Sequence, residues 1–175
     1  MSCGNIVEDK EKSLIEALKA SGVEFVVLRH EPASTMEKCR GIGAEYGAAH
    51  CKNLFLASRN GKMFCLLLTD ADKPFKTGEA SKKLGLPRMG FGTEEQLMDV
   101  LGAKQGSVSA LCLLNDPAKA AYFDGALKLA VDSDVRSREM ICVHPDTNTA
   151  TLVMKTDDLF GFLESRGFGF EIVDV

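Results

Sequence analysis

The pair Asn60-Gly61 stands between two apolar runs, Leu54–Ala57 and Met63–Leu68, and no other stretch restricts the fold as much. Asn-Gly flanked by strand-forming residues is a strong short-range hairpin signal, so two antiparallel neighbours are predicted here. Lys52 and Asn53 stand at the mouth of the first run. An ammonium at the beginning of a buried strand needs a reason.

The remaining elements follow from periodicity and caps. Apolar residues at Val7, Leu14, Ile15 and Leu18 share one helical face and predict a helix over 7–20, ended by Gly22. The run 23–28, VEFVVL, predicts a strand. Ser34 with Glu37 fits a capping box for a helix over 35–46. A helix over 76–84 is stopped by Gly85 and Pro87. Thr93 with Gln96 opens another over 94–101, closed by Gly102. Strands are predicted at 107–114, 126–131, 140–143 and 150–154, with a charged turn between the second and third of these. A helix over 156–166 carries Asp157 and Asp158 in its first turn and Gly167 at its end, and 171–173 reads as a last short strand. Helices and strands interleave without the regular alternation of a doubly wound sheet, and hairpins are present. The expected class is α+β with a mixed sheet rather than a Rossmann fold. With 175 residues and no repeat, low-complexity tract or linker, the chain 1–175 reads as a single domain.

Composition narrows the chemistry. At 45% hydrophobic and 26% charged residues the chain matches ordinary soluble globular proteins. It has no bilayer-length apolar run and no secretory h-region at its N-terminus, so the expected compartment is the cytoplasm, with no membrane partner. Cys3, Cys39, Cys51, Cys65, Cys112 and Cys142 show no close pairing. Without an export signal they read as reduced structural residues. Together with His30, His50 and His144 they show no zinc-ligand spacing, so no metal and no cofactor are expected. A net charge of −4 argues against bulk nucleic-acid binding and against a DNA partner. It leaves room for one small basic patch, Lys73, Lys76, Lys82, Lys83 and Arg88, whose plain alternative is a solvated helix face.

Nucleotide P-loop, dinucleotide, zinc-protease and nucleophile-elbow motifs are absent. Gly90–Glu95, GFGTEE, resembles a phosphate loop but lacks the third glycine and the acidic partner, so it is discounted. Polar residues gather instead at strand ends: Lys52-Asn53, Gly106-Ser107, Asn115-Asp116, and His144-Pro145 with Asn148-Thr149. Singly, each has a plain reading as a turn, a loop residue or a snorkelling lysine.

As a set, CKNLFL (51–56), GSVSALCLLND (106–116) and VHPDTNTATL (143–152) resemble the YbaK/ProX-type aminoacyl-tRNA deacylases, nearest to the free-standing prolyl-tRNA editing proteins. The resemblance runs from the first helix to the C-terminal segment 158–175. It implies a mixed, mostly antiparallel, barrel-like sheet with surrounding helices. It also implies hydrolysis of the 3′-aminoacyl ester of mischarged tRNA(Pro), with alanine as the amino acid cleared and no cofactor. Relatives that clear cysteine, serine or threonine, or that act on another tRNA, form the alternative, together with a non-catalytic regulatory module of the same fold. By the same resemblance Lys52 is the residue on which deacylation depends. Asn53, Gly106, Ser107, His144 and Asn148 then contact the substrate. From charge clustering alone, and not from the resemblance, the Lys73–Arg88 patch is the expected tRNA contact, and the net charge of −4 points to weak tRNA affinity aided by a partner such as prolyl-tRNA synthetase. Cys112 stands where many relatives carry glycine, a change expected to reshape the pocket.

The chemistry suits so sparse a set. An aminoacyl ester is already activated, so hydrolysis calls for positioning, a water and oxyanion stabilisation more than a strong nucleophile. A lysine is a point charge able to hold a phosphate or polarise a carbonyl. A second, small pocket that admits alanine and excludes proline corrects what a synthetase cannot, because small apolar differences are worth only about 1–3 kcal/mol.

Overall fold

The computed structural model describes residues 3–33, 39, 41–48 and 50–175, with side chains from residue 9 onward. The predicted hairpin forms as β2 (Cys51–Ser58) against β3 (Phe64–Asp70), with Lys52 opposite Thr69 and Ala57 opposite Phe64. Its connection is longer than a two-residue turn. Gly61 N–H donates to the Ser58 carbonyl at 2.9 Å, and Ser58 N–H to the Met63 carbonyl at 2.8 Å. Gly61 takes φ +66°, a left-handed conformation open to glycine without a Cβ penalty. The Asn60 side chain accepts from the Ser58 hydroxyl at 2.8 Å and from Lys62 N–H at 3.2 Å, holding the loop closed.

Around this hairpin lies a five-stranded sheet in the order β4-β2-β3-β5-β8, with β4 at Met89–Phe91, β5 at Leu127–Asp132 and β8 at Glu171–Val173. β2 pairs antiparallel with both neighbours, whereas β5 runs parallel to β3 and to β8. A second sheet, β1-β7-β6, joins Phe25–Arg29, Ala150–Lys155 and Met140–Val143 in antiparallel register. The class is the expected α+β with mostly antiparallel pairing, but the two sheets are not closed into a barrel. Six helices surround them among the described residues: α1 (Cys3–Ala20), α2 (Thr77–Lys83), α3 (Glu94–Leu101), α4 (Asp116–Phe123), α5 (Ser133–Arg136) and α6 (Thr156–Ser165).

β3 is buried on both faces. Leu66 and Leu68 join the large core with Leu18, Leu101, Leu111, Leu152 and Phe160. Cys65 and Leu67 face a smaller core with Leu56, Ala80, Leu84, Met89 and Ala130. This is why the strand is apolar at every position from Phe64 to Leu68 rather than at every second one. Each fully buried leucine or phenylalanine contributes about 1.5–3 kcal/mol relative to exposure.

Three expectations need correction. The run 107–114 is not a strand. At Ser109 the chain turns into a 3-10 helix, Ala110–Leu114, whose first N–H groups are capped: Leu111 N–H donates to the Ser109 hydroxyl at 3.2 Å. A short run buried on all sides has no periodicity to separate helix from strand. The charged turn after β5 is the single-turn helix α5, capped by Asp132. Of the helix expected over 35–46, its Ser34–Glu37 cap and residues 35–38 and 40 lie outside the described residues, whereas 41–43 form a turn and Ala44–Tyr46 a 3-10 helix. No helix among the described residues is long and apolar enough to cross a membrane.

Candidate active site

Among the described residues, β4 pairs only with Leu56–Ser58 of β2. Beyond its reach, the Cys51–Asn53 end of β2 walls a cavity of about 410 Å3. Lys52, Asn53, Gly106 and His144 all line it, from β2, from the turn after α3 and from the loop after β6. The rest of the wall is largely apolar: Cys51, Leu54, Phe55, Phe91, Leu97 and Val108. This is the build of a small-molecule site, an apolar chamber with a few convergent polar groups.

Lys52 is half-buried, and its ammonium donates to the Lys73 carbonyl at 2.8 Å. A carbonyl satisfies one of the three N–H donors and neutralises no charge. His144 is held from two directions. Its own carbonyl accepts from the Ser109 hydroxyl at 2.6 Å, and its Nδ1 lies 3.3 Å from the Ala150 carbonyl. Facing a carbonyl, Nδ1 is the protonated nitrogen of the neutral ring and Nε2 its acceptor. Burial pushes the imidazole pKa below its ordinary value, and His50 and His30 add to the shift against the opposing Ala150 carbonyl.

The His144 loop is fixed from behind by Asp146, which adopts φ +59° and is buried. Its carboxylate accepts from Asn115 Nδ2 at 3.2 Å and from the Cys112 thiol at 3.7 Å, and lies 3.5 Å from Lys10 Nζ. Burial raises the Asp146 pKa, while Lys10 and Asn115 oppose the rise. Cys112 therefore stands behind the loop and not in the cavity wall; burial pushes its thiol to about 12. Cys51 is likewise pushed to about 12 by burial and Cys39 is raised, so the two thiols that do line the cavity are not poised as thiolates.

Several residues expected at the site stand elsewhere. The Ser107 hydroxyl donates to the Lys104 carbonyl at 2.9 Å within its own turn, leaving only Gly106 of that pair in the wall. Asn148 is off the wall, and its carbonyl accepts from Ala33 N–H at 2.9 Å. The basic patch is divided. Lys73 Nζ lies 3.0, 2.9 and 3.2 Å from Asp132, Asp134 and Asp174, an ion cluster and not a free phosphate contact. Lys76 pairs with Glu79 at 3.0 Å, and Lys83 donates to the Asp174 carbonyl. Lys82 and Arg88 are exposed.

The discounted stretch GFGTEE contributes to the wall through Phe91, Gly92, Thr93 and Glu94. Phe91 is 65% exposed, an apolar ring kept at the cavity rim. Gly92 is required by close approach: a Cβ there falls 2.5 Å from Cε1 of Phe55, and Phe55 in turn stacks on Phe64 at 5.5 Å. Gly92→Ala is therefore expected to lower stability by about 1–3 kcal/mol through overpacking, read as a shift in the denaturant midpoint. The sequence signal was the Gly-x-Gly spacing beside a capping box, and its meaning depends on a ring contributed by another strand.

Residues 30–162 match the aminoacyl-tRNA editing domain. The chain is 26% identical over 167 residues to the prolyl-tRNA editing protein ProX of Acetoanaerobium sticklandii, spanning 95% of this chain and 98% of that protein. It is 30% identical over 158 residues to the prolyl-tRNA synthetase associated domain-containing protein 1 of Danio rerio, spanning 89% and 82%. A solved structure of a candidate trans-editing enzyme for prolyl tRNA synthetase shares the fold, with a TM-score of 0.65 at 17% identity over 100% of this chain and 99% of that one.

Proposed function

The chain belongs to the aminoacyl-tRNA editing domain family, and on that premise we propose that it is a trans-editing deacylase of mischarged tRNA(Pro), acting on Ala-tRNA(Pro) as one editing domain. The observation that carries the reading is that Lys52 lines a small apolar cavity together with Asn53, Gly106 and His144. Water adds to the ester carbonyl, the tetrahedral oxyanion collapses, and the free amino acid leaves the 3′-terminal ribose with its hydroxyl restored. Lys52 supplies positive charge to the acceptor-end phosphate or the developing oxyanion. The Gly106 turn offers backbone N–H groups. Asn53 orients the ester, and the His144 loop limits the space for the amino-acid side chain. Asn148 supports that loop through its neighbouring backbone. Lys82 and Arg88, with Lys76 and Lys83 beside them, form the surface that meets the tRNA acceptor stem, and prolyl-tRNA synthetase is the partner that delivers it. The setting is the cytoplasm.

The deciding experiment offers the purified protein a panel of mischarged tRNAs. Release of alanine from tRNA(Pro), with Pro-tRNA(Pro) spared, is the expected result. Preference for cysteinyl, seryl or threonyl esters, or for another tRNA, moves the protein to the alternative specificity, and no hydrolysis of any ester overturns the enzyme reading.

The role given to His144 is steric: its loop limits the space for the amino-acid side chain. Because its pKa is held below the ordinary value of about 6.5, the ring is neutral at pH 7. The unfolded chain takes up this proton first as pH falls, so the stability contributed by the neutral ring is present above about pH 6.5 and is lost as pH drops through the lower folded value. His144→Ala is expected to change the ratio of alanyl to prolyl ester hydrolysis by about tenfold or more. A uniform loss for alanyl, seryl and prolyl esters on one tRNA, with a wild-type rate that titrates at a histidine pKa below the ordinary value, makes it a general base instead.

A further inference from the structure

We propose that Lys73 is a positioning residue for Lys52: its ammonium, anchored on buried Asp132, fixes the backbone carbonyl that receives the Lys52 ammonium. The inference rests on the role given to Lys52 above. Lys73 lies in the turn after β3, and its carbonyl accepts from Lys52 Nζ at 2.8 Å. That carbonyl belongs to the bond preceding Pro74, and the residue before a proline is confined to extended conformations. The turn itself is tied by Asp70, whose carboxylate accepts from Asp72 N–H at 2.9 Å and whose carbonyl accepts from Lys73 N–H at 3.3 Å. Asp70 also pairs with Arg138.

The side chain of Lys73 supplies the other anchor. Its ammonium lies 3.0 Å from Asp132, a side chain with no solvent exposure, and is held further by Asp134 and Asp174. Asp132 is fully occupied. Its Oδ2 accepts from the Thr69 hydroxyl at 2.9 Å, and its Oδ1 also accepts from Asp134 N–H at 3.1 Å. Thr69 is the residue directly opposite Lys52 in the β2–β3 ladder. One buried carboxylate on β5 thus grips both the strand position facing Lys52 and the turn whose carbonyl holds the Lys52 ammonium. A long, freely rotating side chain gains catalytic value when its charge is preorganised, and this arrangement supplies that preorganisation from outside the cavity. Lys73 thus carries the ion cluster on its side chain and the Lys52 ammonium on its carbonyl.

Removing Lys73 alone leaves Asp132 buried and uncompensated, which can unfold the protein. The test therefore uses Lys73→Met combined with Asp132→Asn, which removes both charges and keeps an acceptor for Thr69, with thermal unfolding as the check on folding. Single-turnover deacylation of mischarged tRNA is measured alongside the rate at which an amine-acylating reagent labels Lys52, read by mass spectrometry. The expected result is a rate lower by about ten- to hundredfold, KM within about twofold, and severalfold faster labelling of Lys52. Lys73→Arg is expected to restore most of the rate. In a Lys52→Ala background the paired change is expected to add nothing, as for two residues acting through one contact. A wild-type rate in the folded variant overturns the proposal, and so does a lost rate with unchanged Lys52 labelling. If Lys52→Ala alone retains full activity, the role of Lys52 fails, and the labelling arm still reports separately whether Lys73 holds it.

Discussion

Replacing Lys52 by alanine is expected to lower single-turnover deacylation by about 100- to 1000-fold, the effect of removing one group that stabilises developing charge, while leaving thermal stability within about 0.5 kcal/mol of wild type. The separation follows from what the side chain touches. Its hydrogen bond goes to the Lys73 carbonyl, and no core packing depends on the ammonium. Lys52→Arg is expected to remain impaired, because a planar guanidinium does not reproduce a compact point charge. Full turnover in a folded Lys52→Ala protein refutes the assignment.

The second large effect is on stability. Asp146→Ala is expected to cost about 2–4 kcal/mol, from a left-handed backbone that alanine tolerates poorly and from the lost carboxylate bonds to half-buried Asn115 and the buried Cys112 thiol. Asp146→Asn keeps both the backbone tolerance and an acceptor and is expected to cost far less. The pH dependence separates charge from geometry. Burial holds the Asp146 pKa above its unfolded value, so the folded state binds this proton more readily. Its contribution to stability therefore falls as pH rises from about 3.9 through the raised folded pKa. The asparagine variant should lack that segment of the stability–pH curve. Equal destabilisation by Ala and Asn in chemical denaturation speaks against a backbone role for this position.

Much of the fold could be read from the sequence wherever a local signal agreed with burial. The Thr93–Gln96 capping box, the amphipathic C-terminal helix and the hairpin at Asn60-Gly61 are all present. The run 107–114 was misread because complete burial erases periodicity, and β4 was missed because three residues carry no pattern. For the site, the family resemblance identified Lys52, Asn53, Gly106 and His144, which the fold brings to one cavity. The wall made by Phe55, Phe91 and Gly92 depends on two strands meeting, which no local spacing encodes. The lysine patch misled for a related reason. Clustering along the chain said nothing of Asp132 and Asp174, which neutralise Lys73 from far downstream.

The pairing of β1 with β7 joins Arg29 to Ala150 and Phe25 to Met154. A strand made early in synthesis thus waits for a partner made late, and the loop-closure entropy of that gap is met before any contact rewards it. During translation the FVVLR segment of β1 is an unpaired apolar edge, the kind of surface on which nascent chains associate wrongly. The His144 loop sits between β6 and β7, so its wall of the cavity takes shape only when that late sheet closes. Slow, single-step acquisition of activity during refolding, lagging behind formation of the β2–β3 hairpin, is the kinetic signature this topology imposes.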